Sequence, residues 1–189
     1  MKTQTKLIAV AVASIGYIAY QRSENNNLTN AKNLLKKWMS NVNLHDKKAV
    51  LSLYSQDAVL LPTLYNVSSV GYNADYVNLM QINPNSFIAQ GKTKIGLYMD
   101  AFLILPDLKG TLYEESLIFK KMGMNTFSVD GVYSFYYTDP ESGSESGDNR
   151  TQFARFTFIY KREPFTNNWL ITNQNSNKGY LYFGETFKN

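Results

Sequence analysis

Beyond Gly110 the chain is a succession of long runs rich in β-branched and aromatic residues, separated by short polar breaks. This pattern restricts the possible folds more than any other feature. Gly110 to Met122, Thr126 to Thr138, Thr151 to Arg162 and Trp169 to Asn175 read as strands. Gly123-Met124-Asn125 and Glu163 to Asn168 read as turns between them. The acidic run DPESGSESGDN from Asp139 to Asn149 reads as a solvated hairpin loop; its spacing does not match a helix–loop–helix calcium site. Strands of this length in sequence form a bent antiparallel sheet, and one face of that sheet must be covered.

The cover comes from the preceding residues. Leu34, Leu35, Trp38, Met39 and Val42 recur at helical spacing, predicting a helix over Ala31 to Val42 capped by Thr29 or Asn30. Asp46 caps a second helix over Lys47 to Ser55. Ala58 to Leu61 is a short apolar strand stopped by Pro62. Periodicity fades between Tyr65 and Gln90, which reads as an irregular excursion. Thr93 to Leu105 is a third helix with a stripe of Ile95, Tyr98, Met99 and Phe102, ended by Pro106. The predicted class is α+β: a curved antiparallel sheet wrapped by about three helices, with a pocket in the gap and a single apolar helix at the N-terminus.

That apolar segment, LIAVAVASIGYIAY, runs uncharged from Leu7 to Tyr20 between Lys6 and Arg22. Its core is short for a bilayer span, which takes about 20 residues. Leu7, Ile8, Val10, Val12, Ile15 and Ile18 would face lipid, with Tyr17 and Tyr20 at one interface. A cleaved signal peptide is the competing reading, with Ala11-Val12-Ala13 as its cutting motif, and a buried soluble helix is the third. The retained anchor is the preferred expectation. The organisation expected is residues 1–22 as anchor or uncleaved signal-like segment, 23–30 as linker, 31–178 as the domain with an insertion over 65–90, and 179–189 as an aromatic tail.

Charge and composition exclude several functions. Lys2, Lys6 and Arg22 precede the first acidic residue, leaving 16 basic against 15 acidic residues beyond Arg22. A near-neutral domain lacks the basic stripe that nucleic-acid binding needs, so no nucleic-acid partner is expected. There is no cysteine, which removes thiolate catalysis, zinc–sulfur sites and iron–sulfur clusters. His45 is the single histidine, in a predicted helix–helix turn. A His-based triad or multi-His metal centre cannot be built. No catalytic residue, metal site or cofactor is predicted.

The stretches LLKKWMSNVNLHDKKAVLSLYSQDAVLLPT (Leu34 to Thr63), KIGLYMDAFLILP (Lys94 to Pro106), VDGVYSFYYTD (Val129 to Asp139), QFARFTFIYKRE (Gln152 to Glu163) and NWLITNQNS (Asn168 to Ser176) together resemble the calcium/calmodulin-dependent protein kinase II association-domain group, with its SgcJ/EcaC-type relatives, within the nuclear transport factor 2-like superfamily. The resemblance implies a curved sheet wrapped by helices, a deep pocket, and dimers or rings through the sheet. The chain departs from the pattern where the group often carries His-His-Ser-Ser after its last Trp-Leu-Ile. Here Gln174, Asn175, Ser176 and Asn177 stand there. Glu115 is followed by Ser116 where relatives often have Arg. Residues 65–90 read as an insertion.

The resemblance places Arg155 in the pocket, where it would hold a carboxylate ligand. The alternative is a structural ion pair with Glu114, Glu115 or Asp57. Asp57 is either a pocket acid or a cap of the preceding helix. Trp38, Tyr54 and Tyr133 are pocket candidates beside an ordinary core role. Glu115 and Asn175 complete the candidate lining. Amides at Asn173, Gln174 and Asn175 hydrogen-bond but do not exchange protons near neutral pH.

These features point to a membrane-anchored, non-catalytic accessory or scaffold subunit of a larger assembly. Its expected partners are other protein subunits, a lipid bilayer through the N-terminal segment, and a second copy through the sheet. The expected setting is the mitochondrial inner membrane, with a bacterial periplasm or envelope, or secretion, as the alternative. An exported pocket enzyme or small-ligand binder, and a self-assembling hub, are the competing functions.

Overall fold

The computed structural model describes residues 26–62, 88–139 and 148–178. The predicted anchor, most of the excursion over 65–90 and the aromatic tail lie outside the described residues. Helix α1 covers residues 26–43, so it is already helical within the Asn-rich run read as a linker. The reason is periodicity: half-buried Leu28 extends the stripe of buried Ala31, Leu35, Trp38, Met39 and Val42 by one turn. Helix α2 is Lys47–Ser52, and the Asp46 carboxylate accepts from the Ala49 N–H at 2.9 Å, the expected cap.

Strand β1, Tyr54–Leu61, starts four residues earlier than its apolar run suggested. Tyr54 leaves the helix because it pairs in parallel with Ile171, whose N–H donates to Leu53 O at 2.8 Å. Strand β2 is the short Ala89–Gln90, and helix α3 is Gly91–Leu103. Then come β3 (Lys109–Gly123), β4 (Thr126–Asp139), β5 (Asp148–Arg162) and β6 (Trp169–Lys178). The six strands form one sheet in the order β2-β1-β6-β5-β4-β3, antiparallel throughout except for β1 against β6.

The sheet's inner face carries the core. Phe127, Val129, Tyr133, Phe135 and Tyr137 of β4 are buried, with the small Ser128 and Ser134 also buried between them, and Ala154, Phe156, Phe158 and Tyr160 of β5 alternate with exposed or half-buried residues. Trp38 of α1 lies against Tyr133, Phe135 and Phe158, at centroid distances of 6.0, 6.4 and 5.2 Å. Phe102 of α3 meets Phe135 edge-on at 4.9 Å. The end of α1 is fixed to β3 by one side chain: Asn43 Nδ2 donates to Gly110 O at 3.0 Å and its Oδ1 accepts from the Gly110 N–H at 2.6 Å. Gly110 is required there, since a Cβ would lie 2.8 Å from Phe135 Cε1 and collide with Met39 Sδ.

Candidate functional site

A cavity opens between α1, α3 and the inner face of the sheet. Trp38, Tyr98, Met99 and Phe102 line it from the helices; Tyr133, Phe135, Gln152, Ala154, Gln174 and Ser176 line it from the strands, with Pro62 at the end of β1. Its volume is about 20 Å³ for the centre of a water-sized sphere, room for little more than one water.

The polar atoms around this space are turned on one another. Trp38 Nε1 donates to Tyr54 Oη at 2.9 Å, and Tyr54 Oη donates to Gln174 Oε1. Tyr133 Oη bonds Ser176 Oγ in a second pair. Burial raises the Tyr133 hydroxyl from 10.0 to about 12, against the lowering effect of Ser176 and then Gln174. Burial also pushes Tyr54 well up, opposed by the bond from Trp38 and assisted by Tyr133. Tyr160 is raised by burial and by Tyr54, and its hydroxyl has no hydrogen-bond partner among the described residues. Phenols held neutral in this way neither take nor release protons near neutral pH. The lining among the described residues contains no carboxylate, imidazole or cation, and the groups it does hold accept and donate hydrogen bonds.

The sequence-predicted site residues separate into two sets. Trp38 and Tyr133 line the cavity, and Tyr54 sits behind them as the middle of the hydrogen-bonded chain. Arg155 is not in the cavity: it is exposed on the outer face, because Ala154 and Phe156 on either side take the inner positions of β5. It forms none of the ion pairs expected of it. Instead Glu114 pairs with Lys36 at 2.8 Å. Asp57 is exposed and accepts from Ser55 Oγ at 2.9 Å, where β1 is bulged. Glu115 is exposed in the bulged part of β3. Asn175 is half-buried on the outer face, while its neighbours Gln174 and Ser176 point inward. His45 is exposed, and its Nδ1 lies 2.6 Å from Leu103 O, joining the α1–α2 turn to the end of α3.

Gln152, Gln174, Ser176 and Tyr98 were missed as lining residues. Counting by twos from buried Ile171 reaches Asn173 and Asn175. The register shifts where Ile159 and Tyr160 pair with Asn173 and Ile171, and that bulge transfers the inner face to Gln174 and Ser176. The aligned His-His-Ser-Ser positions held the only sequence signal for them.

No family model and no curated protein matches the chain. Solved structures do. A protein from Xanthomonas campestris described as a calcium/calmodulin-dependent protein kinase II association domain is 23% identical, with a TM-score of 0.57 over 79% of this chain and 85% of its own. A nuclear transport factor 2-like protein with a cystatin-like fold from Novosphingobium aromaticivorans is 13% identical, with a TM-score of 0.60 over 89% and 90%. A hexachlorocyclohexane dehydrochlorinase from Novosphingobium barchaimii is 11% identical, with a TM-score of 0.62 over 85% and 91%. The chain is an α+β protein of the nuclear transport factor 2-like fold. At these identities the likeness is one of fold, which hosts unrelated functions.

Proposed function

We propose that this chain is a non-catalytic member of its fold, acting as a membrane-held accessory or assembly subunit that binds other proteins. The observation that carries the reading is the state of the cavity. Its phenol, indole, amide and hydroxyl groups bond one another, its tyrosines are held neutral, and its free volume is close to that of one water. Such an interior stabilises the cone and offers no proton exchange at neutral pH.

The membrane part of the reading is supported by the uncharged run from Leu7 to Tyr20 between basic flanks. No helix among the described residues is long and apolar enough to cross a membrane. The inner mitochondrial membrane is the setting to test first. The test is purification of the full chain in mild detergent from its own membrane, followed by native mass spectrometry. The reading predicts protein subunits co-purifying at fixed stoichiometry. A chain that leaves the membrane fraction alone contradicts it.

A small-ligand binder or pocket enzyme is the second reading. It is favoured by the cavity itself, where the Gln152 amide and the Tyr98 ring line a space between α3 and the sheet. It predicts a small molecule retained in the same spectrum, with no protein subunit.

A further inference from the structure

The turns at one end of the sheet present large apolar side chains to solvent among cations. At the β3–β4 hairpin Met122, near the end of β3, and Met124, in the turn, are 61% and 86% exposed, and in the β5–β6 turn Phe165 is 98% exposed. The two turns are neighbours: the Arg162 N–H donates to Asn125 O at 2.9 Å, and Lys161 pairs with Thr126. Exposed Lys120, Lys121 and Lys161 and half-buried Arg162 flank them along the chain, against a single carboxylate among the described residues of these turns, Glu163. Glu163 is itself turned onto the loop, accepting from Thr166 Oγ1 at 2.6 Å. Between Asp139 and Asn149 the sequence carries Asp139, Glu141, Glu145 and Asp148 with no Lys or Arg.

The start of α1 lies at the basic end. The helix runs antiparallel to β3: Asn43 bonds Gly110, Lys36 pairs with Glu114, and Lys32 Nζ lies 5.2 Å from the Phe119 ring centroid. From Lys32 back to residue 26 the helix advances about 9 Å. From Phe119 to Met122 the strand advances about 10 Å. Residue 26 therefore reaches the level of the Met122 and Met124 turn. The apolar run from Leu7 to Tyr20 joins the domain only a few residues before that point.

We infer that this end is a lipid-contacting surface, in which Met122, Met124 and Phe165 dip into the headgroup region of an anionic bilayer while Lys120, Lys121, Lys161 and Arg162 lie against its phosphates. Isolated exposed apolar residues need no explanation, but three at adjacent turns flanked by cations match interfacial binding. Cations near an anionic leaflet each strengthen attachment several-fold. The ends of β4 at Asp139 and of β5 at Asp148 then lie away from the lipid. The inference deepens the membrane-held reading and rests on it. It adds a second contact that fixes which end of the cone faces the bilayer.

The absence of cysteine allows a clean test. Full-length single-cysteine variants Met124→Cys, Phe165→Cys and, as a control, Leu44→Cys carry an environment-sensitive fluorophore. They are reconstituted in vesicles of phosphatidylcholine with and without phosphatidylserine, and lipid-borne and aqueous quenchers are compared. The expected result is lipid quenching at positions 124 and 165 in the anionic vesicles, with position 44 remaining aqueous. The double variant Lys120→Glu/Lys161→Glu should return both tip labels to water in the same vesicles. A vesicle-bound chain whose tip labels remain aqueous in both lipids overturns this inference and leaves the membrane-held reading intact. A chain that does not associate with vesicles overturns both. Tip labels shielded only when a co-purified protein is added assign the surface to a protein partner and overturn the lipid contact.

Discussion

Tyr54 and Tyr160 are both fully buried, yet replacing each with Phe should move stability in opposite directions. Tyr54→Phe removes the oxygen that accepts from Trp38 Nε1 and donates to Gln174 Oε1. Phe fills the same space, so no cavity opens. The cost is the desolvation of what remains: an indole N–H on a residue 1% exposed, and an amide oxygen on a residue 3% exposed. A buried donor or acceptor left without a partner costs about 1–3 kcal/mol. Taken at about 1 kcal/mol for each of the two groups left without a partner, the net destabilisation should be about 2 kcal/mol. In a chain of this size that lowers Tm by about 4–8 °C. Tyr160→Phe removes a hydroxyl that has no partner among the described residues, and should be neutral or stabilising by about 1 kcal/mol. The assay is denaturant unfolding of both full-length variants in one detergent, followed by Trp fluorescence. Equal losses in the two variants, or a difference below about 1 kcal/mol, would refute the hydrogen-bond reasoning.

Three further outcomes follow from the same geometry. Asn43→Ala breaks both bonds to Gly110 and should cost about 1–3 kcal/mol, with amide exchange rising first at the C-terminal turn of α1 and the start of β3. Tyr133 ionises near 10.0 in an unfolded chain but at about 12 in the fold, so between those values the unfolded chain binds fewer protons. Its contribution is therefore complete below about pH 10 and is lost as pH rises toward about 12, on the order of 3 kcal/mol in all; stability followed across that window should fall in wild type and fall less in Tyr133→Phe. Arg155→Ala should change stability by less than about 0.5 kcal/mol, because the side chain is exposed on the outer face; a larger loss in urea unfolding would restore it to a structural role.

The fold was legible because its signals are local. Alternation in β4 and β5 and the helical stripe of α3 located those elements to within three residues, the start of α1 was placed five residues late, and the order of helices and strands gave the α+β class. What the sequence concealed depends on register. The bulge opposite Ile159 and Tyr160 reversed which of Gln174 and Asn175 faces inward. The irregularity between Tyr54 and Val59 put Asp57 on the surface. Arg155 was misplaced for a different reason. Its strand alternates cleanly, but a cation among Phe residues suggests a buried charge only if both faces of the strand are buried, and the outer face is not. Trp38, Tyr54 and Tyr133 were found as aromatics, but the chain of bonds linking Trp38 through Tyr54 to Gln174 spans from residue 38 to residue 174 and has no local signature.

The central claim is that the interior of the cone is packing and not a working site. Ala154→Val tests it directly, since Ala154 lines the cavity and is 2% exposed. The two added methyl groups fill a space of about one water at a cost of about 1–3 kcal/mol. The measurement is the yield of the proposed assembly recovered from the membrane fraction with this variant, alongside its unfolding curve. The account predicts a folded chain that enters its assembly at the wild-type level. A folded variant that inserts normally but loses the chain's biological function would show that the cavity itself does the work.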